Sequence, residues 1–236
     1  MRIMTPFRSM FSQAINPLMP FAAESHALGE RISIINVYKK ATSYVMLISI
    51  PLFMLLFLLL PSFIELWIGP NYEISTYTFR ILSIGSLISV ISMPCGYIFL
   101  STHVKYMSLF AIANGILDII FCIGLGYYWG YFGIVIGFSL VMGILSLVAI
   151  RLFCKTFQLS YRTFTTELPW KGCIIALILS LIVYFVLLWW PKPGVLFLLF
   201  ITILFIVLYL LFLWMLGVLT DTEIKSFFIS VKSCVF

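Results

Sequence analysis

The chain has 236 residues, 63% of them hydrophobic and only 9% charged, with a formal net charge of +6. Soluble domains carry roughly 25% charged residues, so a water-soluble fold is excluded. The 14 Lys and Arg residues gather into no stripe or patch of the kind nucleic acid needs, which leaves an integral membrane protein.

The first segment, MRIMTPFRSMFSQAINPLMPF, is amphipathic. Arg2, Thr5, Ser9, Ser12 and Asn16 recur at helical spacing on one face with Arg8 and Gln13 beside them, while Met4, Phe7, Phe11, Ala14 and Leu18 take the other. Such a helix either lies in the membrane interface or turns one face to lipid and one to an aqueous cavity. It lacks the apolar stretch of a cleavable signal.

A hydrocarbon core roughly 30 Å thick takes about 20 apolar helical residues to cross. Six stretches satisfy this: Tyr44 to about Ile64, Ile81 to Leu100, Tyr106 to Gly126, Gly133 to Ile150, Cys173 to Trp190 and Val195 to Leu219. The third and fourth come from one run, Ile119 to Ile150, of 32 residues without a charged side chain. The sequence GLGYYWGYFG (Gly124 to Gly133) must break that run, since its glycines loosen a helix and its aromatics suit the headgroup layer. The expected fold is an all-α polytopic bundle of six full transmembrane helices plus one amphipathic partial helix.

Alternating the loops puts Arg31, Lys39, Lys40, Lys105, Arg151, Lys155, Arg162, Lys171, Lys225 and Lys232 on one side and Arg80 and Lys192 on the other. The positive-inside rule makes the rich side, and with it the C-terminus, cytoplasmic. All six tryptophans (Trp67, Trp129, Trp170, Trp189, Trp190 and Trp214) fall at or near expected helix ends, as an interfacial belt requires.

In the second span Gly85, Ser89, Ser92 and Gly96 form a small, weakly polar stripe suited to close helix packing, and Pro51 and Pro94 mark kinks or hinges in the first two spans. The third span carries Ser108, Ala111, Asn114, Gly115, Asp118 and Cys122 on one face, with Phe110, Leu117 and Phe121 directed elsewhere. Asp118 falls near mid-membrane, where insertion costs an aspartate roughly 2.5–3.5 kcal/mol, so it faces protein or water, with Asn114 one turn away as a hydrogen-bond partner. It either locks two helices together or lines a cavity as a carboxylate that exchanges a proton or holds a cation. Gly133 and Gly137 have the spacing of close helix packing, and the last two spans are almost wholly aliphatic and aromatic.

No catalytic constellation appears. His26 and His103 lie in unrelated loops without a carboxylate at metal-ligand spacing, and five scattered cysteines imply neither a disulfide framework nor a metal site. An enzyme is not expected; an integral membrane acyl- or glycosyltransferase would need clustered His, Asp or Glu. No cofactor is implied.

The order of PFAAES (Pro20 to Ser25), ALGER (Ala27 to Arg31), the basic pair Lys39 and Lys40 before a span holding Pro51, LWIGPNY (Leu66 to Tyr72), the Asn114 span and YYWGYFGIVIG resembles the C-terminal half of polysaccharide flippases. These are the O-antigen type transporters of the multidrug/oligosaccharidyl-lipid/polysaccharide exporter superfamily. The resemblance covers about residues 5–155 and implies that residues 1–155 hold the core helices of the second lobe of a 14-helix transporter. Residues 156–236 would then supply two peripheral helices and a cytoplasmic tail. The resemblance further implies a multi-pass protein of the cytoplasmic membrane whose first lobe lies outside this sequence, and a polyprenyl pyrophosphate-linked oligosaccharide as cargo. Arg2 and Arg8 are then the candidates for the phosphate contact, and Gln13, Asn16, Asn114 and Asp118 for the cavity wall. A multidrug exporter of the same superfamily, or a shortened membrane protein without activity, stand as alternatives.

Overall fold

The structure, a computed structural model, describes residues 4–69, 73–159, 168–190 and 194–217. Every element among them is a helix: α1 (Met4–Ile15), α2 (Leu18–Ala27), α3 (Arg31–Ile68), α4 (Glu73–Thr102), α5 (Val104–Thr156), α6 (Trp170–Trp189) and α7 (Val195–Met215). The helices α3 to α7 are each long and apolar enough to cross a membrane, which makes five candidate spans.

The amphipathic first segment is two helices rather than one. Proline at position 17 has no N–H to continue the ladder, and the chain turns through Asn16 and Pro17 before α2 starts. α3 begins 13 residues before the expected start at Tyr44. Its leading part is amphipathic, burying Ile34 and Tyr38 against α2, α4 and the end of α5, so it stays helical outside any apolar stretch. Pro51, Pro61 and Pro94 all lie inside continuous helices.

At 53 residues α5 would measure about 80 Å if straight, more than twice a hydrocarbon core. It does not run straight, because Gly130 adopts φ 57° and ψ −136°, a conformation open to glycine alone. The arms on either side, residues 104–129 and 131–156, fold against each other. A Cβ on Gly133 would lie 1.9 Å from the Leu125 carbonyl oxygen and one on Gly137 2.9 Å from that of Phe121. The break anticipated somewhere between Gly124 and Gly133 is thus at Gly130, and the paired glycines after it let the two backbones touch.

α4 packs chiefly on α5 and next on α3. At its closest approach to the second arm, a Cβ on Gly85 would meet Ser139 at 2.6 Å, and Ser139 Oγ donates to the Ile81 carbonyl at 2.8 Å. α6 and α7 lie against α3, sharing a core of Leu47, Leu55, Ala176, Leu179, Phe205 and Tyr209. A second core joins α1, α3 and α4 through Phe11, Phe53, Phe79 and Val90. A third gathers at the opposite end of the α4–α5 pair around Tyr38, Phe99 and Phe153, with the Phe153 ring 4.0 Å from that of Tyr38 and 5.4 Å from that of Phe99. Arg31 reaches the Thr156 carbonyl at that end, 3.3 Å away.

Candidate functional site

Because α4 and the first arm of α5 are separated only by His103, they run back along each other from that corner. Ser89 lies 14 residues before it and Asp118 15 residues after, so both sit at about the same depth, roughly 21 Å from the corner. The second arm returns past the first, and between these three helical stretches is a cavity of about 470 Å³, within the size range of small-molecule pockets.

α4 contributes Ser89, Ser92, Met93, Gly96, Tyr97 and Leu100 to the wall, the first arm Met107, Phe110, Ala111, Asn114 and Asp118, and the second arm Phe138, Met142, Leu145, Ser146 and Ala149. Arg8 enters from α1. Its Nη2 donates to Ser89 Oγ at 3.3 Å, a long and weak bond. One turn further along α1, the Ser12 and Tyr97 hydroxyls are paired, so two polar links strap the amphipathic helix to the wall.

Of the residues singled out in the sequence, Arg8, Asn114 and Asp118 therefore share one cavity although they are separated by up to 110 positions. Asp118 Oδ1 is shielded from solvent and has no hydrogen-bond partner. The expected Asn114 to Asp118 bond is not formed; both side chains line the cavity. Gln13 and Asn16 are exposed and do not line it. Arg2 lies outside the described residues.

The stripe on α4 divides in two. Gly85 serves the close contact with Ser139, whereas Ser89, Ser92 and Gly96 face the cavity. Phe110, expected to point away from the Asn114 face, is in the wall, since it stands one turn before Asn114 and residues four apart share a helix face. Met93, Met107, Met142 and Tyr97 carried no signal in the sequence, where an apolar or aromatic residue facing a cavity looks the same as one facing lipid.

The histidines do not lie in unrelated loops. His26 sits in the last turn of α2 and His103 at the α4–α5 corner, with ring centroids 5.4 Å apart and Phe99, Tyr106 and Phe157 around His103. Among the described residues no group of three metal-ligating side chains forms. Burial, and then the neighbouring His26, holds the His103 pKa below its ordinary value, favouring the neutral ring. The unfolded chain takes up its proton near the reference value of about 6.5 while the folded chain resists, so stability present above that pH is lost as pH falls through it. A lower melting temperature at pH 5.5 than at pH 7.5 is expected, with a smaller difference in His103→Asn; equal differences in the two proteins would refute it.

Compared with protein-family models, curated proteins and solved structures, this chain matches none.

Proposed function

We propose that the chain is the second lobe of a transporter that moves polyprenyl pyrophosphate-linked oligosaccharide across the cytoplasmic membrane for surface polysaccharide synthesis. The observation that supports it most is the convergence of Arg8, Asn114 and Asp118 on a cavity at mid-helix depth. Charged side chains are costly in lipid and characteristically face a substrate or ion pathway. Counted as two crossings about Gly130, α5 gives the six spans read from the sequence, with the basic loops and the C-terminus on the cytoplasmic side. A first lobe, outside this sequence, closes the cavity from the open side. Arg8 contacts phosphate, and Asp118 exchanges a proton or a cation as the lobes alternate.

The test is complementation: the chain is co-expressed with a cognate first lobe in a strain lacking its polysaccharide flippase. Surface glycan is expected to return, and its absence when both pieces reach the membrane would overturn the proposal. Arg8→Ala and Asp118→Ala are each expected to lower export about tenfold or more without reducing membrane abundance, as for loss of a charged contact worth 1.5 kcal/mol or more. Undiminished export in both would remove the site assignment.

The methionine and phenylalanine content of the wall (Met93, Met107, Met142, Phe110 and Phe138) favours a second reading, a multidrug exporter for apolar cations. Changes in drug susceptibility exceeding changes in surface glycan on deletion would select it.

A further inference from the structure

Most hydroxyl donors in the cavity wall are already used. Ser92 Oγ donates to the Ser89 carbonyl at 2.8 Å and Ser146 Oγ to the Met142 carbonyl at 2.7 Å, both within their own helices. The Tyr97 hydroxyl is paired with Ser12. What stays open to a ligand, among the described residues, is the Arg8 guanidinium with its weak bond to Ser89, the Asn114 amide and the Asp118 carboxylate. The remaining surface is thioether, phenyl and aliphatic.

A sugar ring carries several hydroxyls, and each one buried without a partner is penalised in full. Three open polar side chains leave most hydroxyls of an oligosaccharide without a protein partner, so its sugars are better placed in water. A hydrocarbon chain has no such requirement, and flexible methionines adapt to its shape. The Arg8 guanidinium presents phosphate oxygens with a planar fork of donors.

We infer that the cavity binds the junction between a phosphate group and a hydrocarbon chain, as in an isoprenoid or alkyl phosphate, and leaves the sugars of a glycolipid outside. This rests on the transporter reading for its cargo and specifies which part is gripped here: Arg8 holds the phosphate oxygens, and Met93, Met107, Met142, Phe110 and Phe138 enclose the adjoining carbons.

The test uses the purified chain in phosphatidylcholine nanodiscs, with equilibrium binding of farnesyl phosphate, farnesol, N-acetylglucosamine 1-phosphate and phosphatidic acid. Farnesyl phosphate is expected to bind at least about tenfold more tightly than farnesol or the sugar phosphate. Arg8→Gln should erase the advantage over farnesol, Arg8→Lys should keep part of it, and Arg151→Gln, an exposed site outside the cavity, should leave it intact. Phosphatidic acid binding as tightly as farnesyl phosphate would support the shared chemistry with a membrane phospholipid as its source; weaker binding would support an isoprenoid. Equal affinity for the sugar phosphate, or an unchanged advantage in Arg8→Gln, would overturn the inference, and the wild-type comparison decides the matter if Arg8→Gln fails to fold. Phosphate-selective binding without glycan export would sink only the flippase reading, and export without such selectivity only this inference.

Discussion

Gly133→Ala is expected to lower the melting temperature of the detergent-solubilised protein by roughly 6–12 °C, taking a cost of about 3 kcal/mol, the upper end for an overpacked core, at 2–4 °C per kcal/mol for a chain of this size. The added methyl would lie 1.9 Å from the Leu125 carbonyl oxygen and 2.4 Å from its carbon. Both are backbone atoms, so no rotamer change relieves the clash. The two arms of α5 must separate, and with them moves the wall carrying Phe138 and Met142, so ligand affinity should fall alongside stability. Gly124→Ala provides the control. Nothing lies within 4 Å of a Cβ there, and alanine is the better helix former, so a change of no more than about 0.5 kcal/mol is expected. Equal losses at the two positions would show that the arms are not held by this backbone contact.

Tyr209→Phe should cost about 1–3 kcal/mol, for a reason written into a different helix. In α3 the Leu47 carbonyl would accept from the N–H of residue 51, four positions on, but residue 51 is proline and has none. Tyr209 on α7 fills the vacancy, its hydroxyl donating to the Leu47 oxygen at 2.8 Å in a buried setting. Surrounded by hydrocarbon, that carbonyl has no water to turn to. The two sites are therefore coupled. In a Pro51→Ala background the helix regains its own donor, and the cost of Tyr209→Phe should shrink to about half a kcal/mol or less. A thermal-denaturation double-mutant cycle measures this directly, and strictly additive losses would refute the coupling. Tyr184→Phe, at an exposed position on α6, should be close to neutral.

These two sites show where information along the chain stops being local. The GxxxG spacing of Gly133 and Gly137 announces a close approach, and the glycine and aromatic run announces a break, because both follow from backbone sterics that depend on neighbouring residues alone. Which glycine turns the chain, Gly130, and which carbonyls the others meet, those of Leu125 and Phe121, depend on how the arms register. Tyr209 could not have been matched to Leu47 from the sequence: 162 positions separate them, and a tyrosine in an aliphatic span looks the same whether it faces lipid or a freed carbonyl. Asp118 was legible as an exception, since an ionisable residue among apolar neighbours must find protein or water, whereas Arg8 was legible only beside the polar face of an amphipathic helix.

The sequence by itself determined that this is an all-helical membrane protein and which stretches are long and apolar enough to cross, because hydrocarbon thickness and backbone hydrogen bonding permit little else. It did not determine which polar residues meet. Arg8 reaches Ser89, Gln13 and Asn16 turn outward, and three methionines face the cavity. Tertiary structure alone decided this, since the rotation of each helix about its axis is set by the shapes packed against it and not by the composition of its own face.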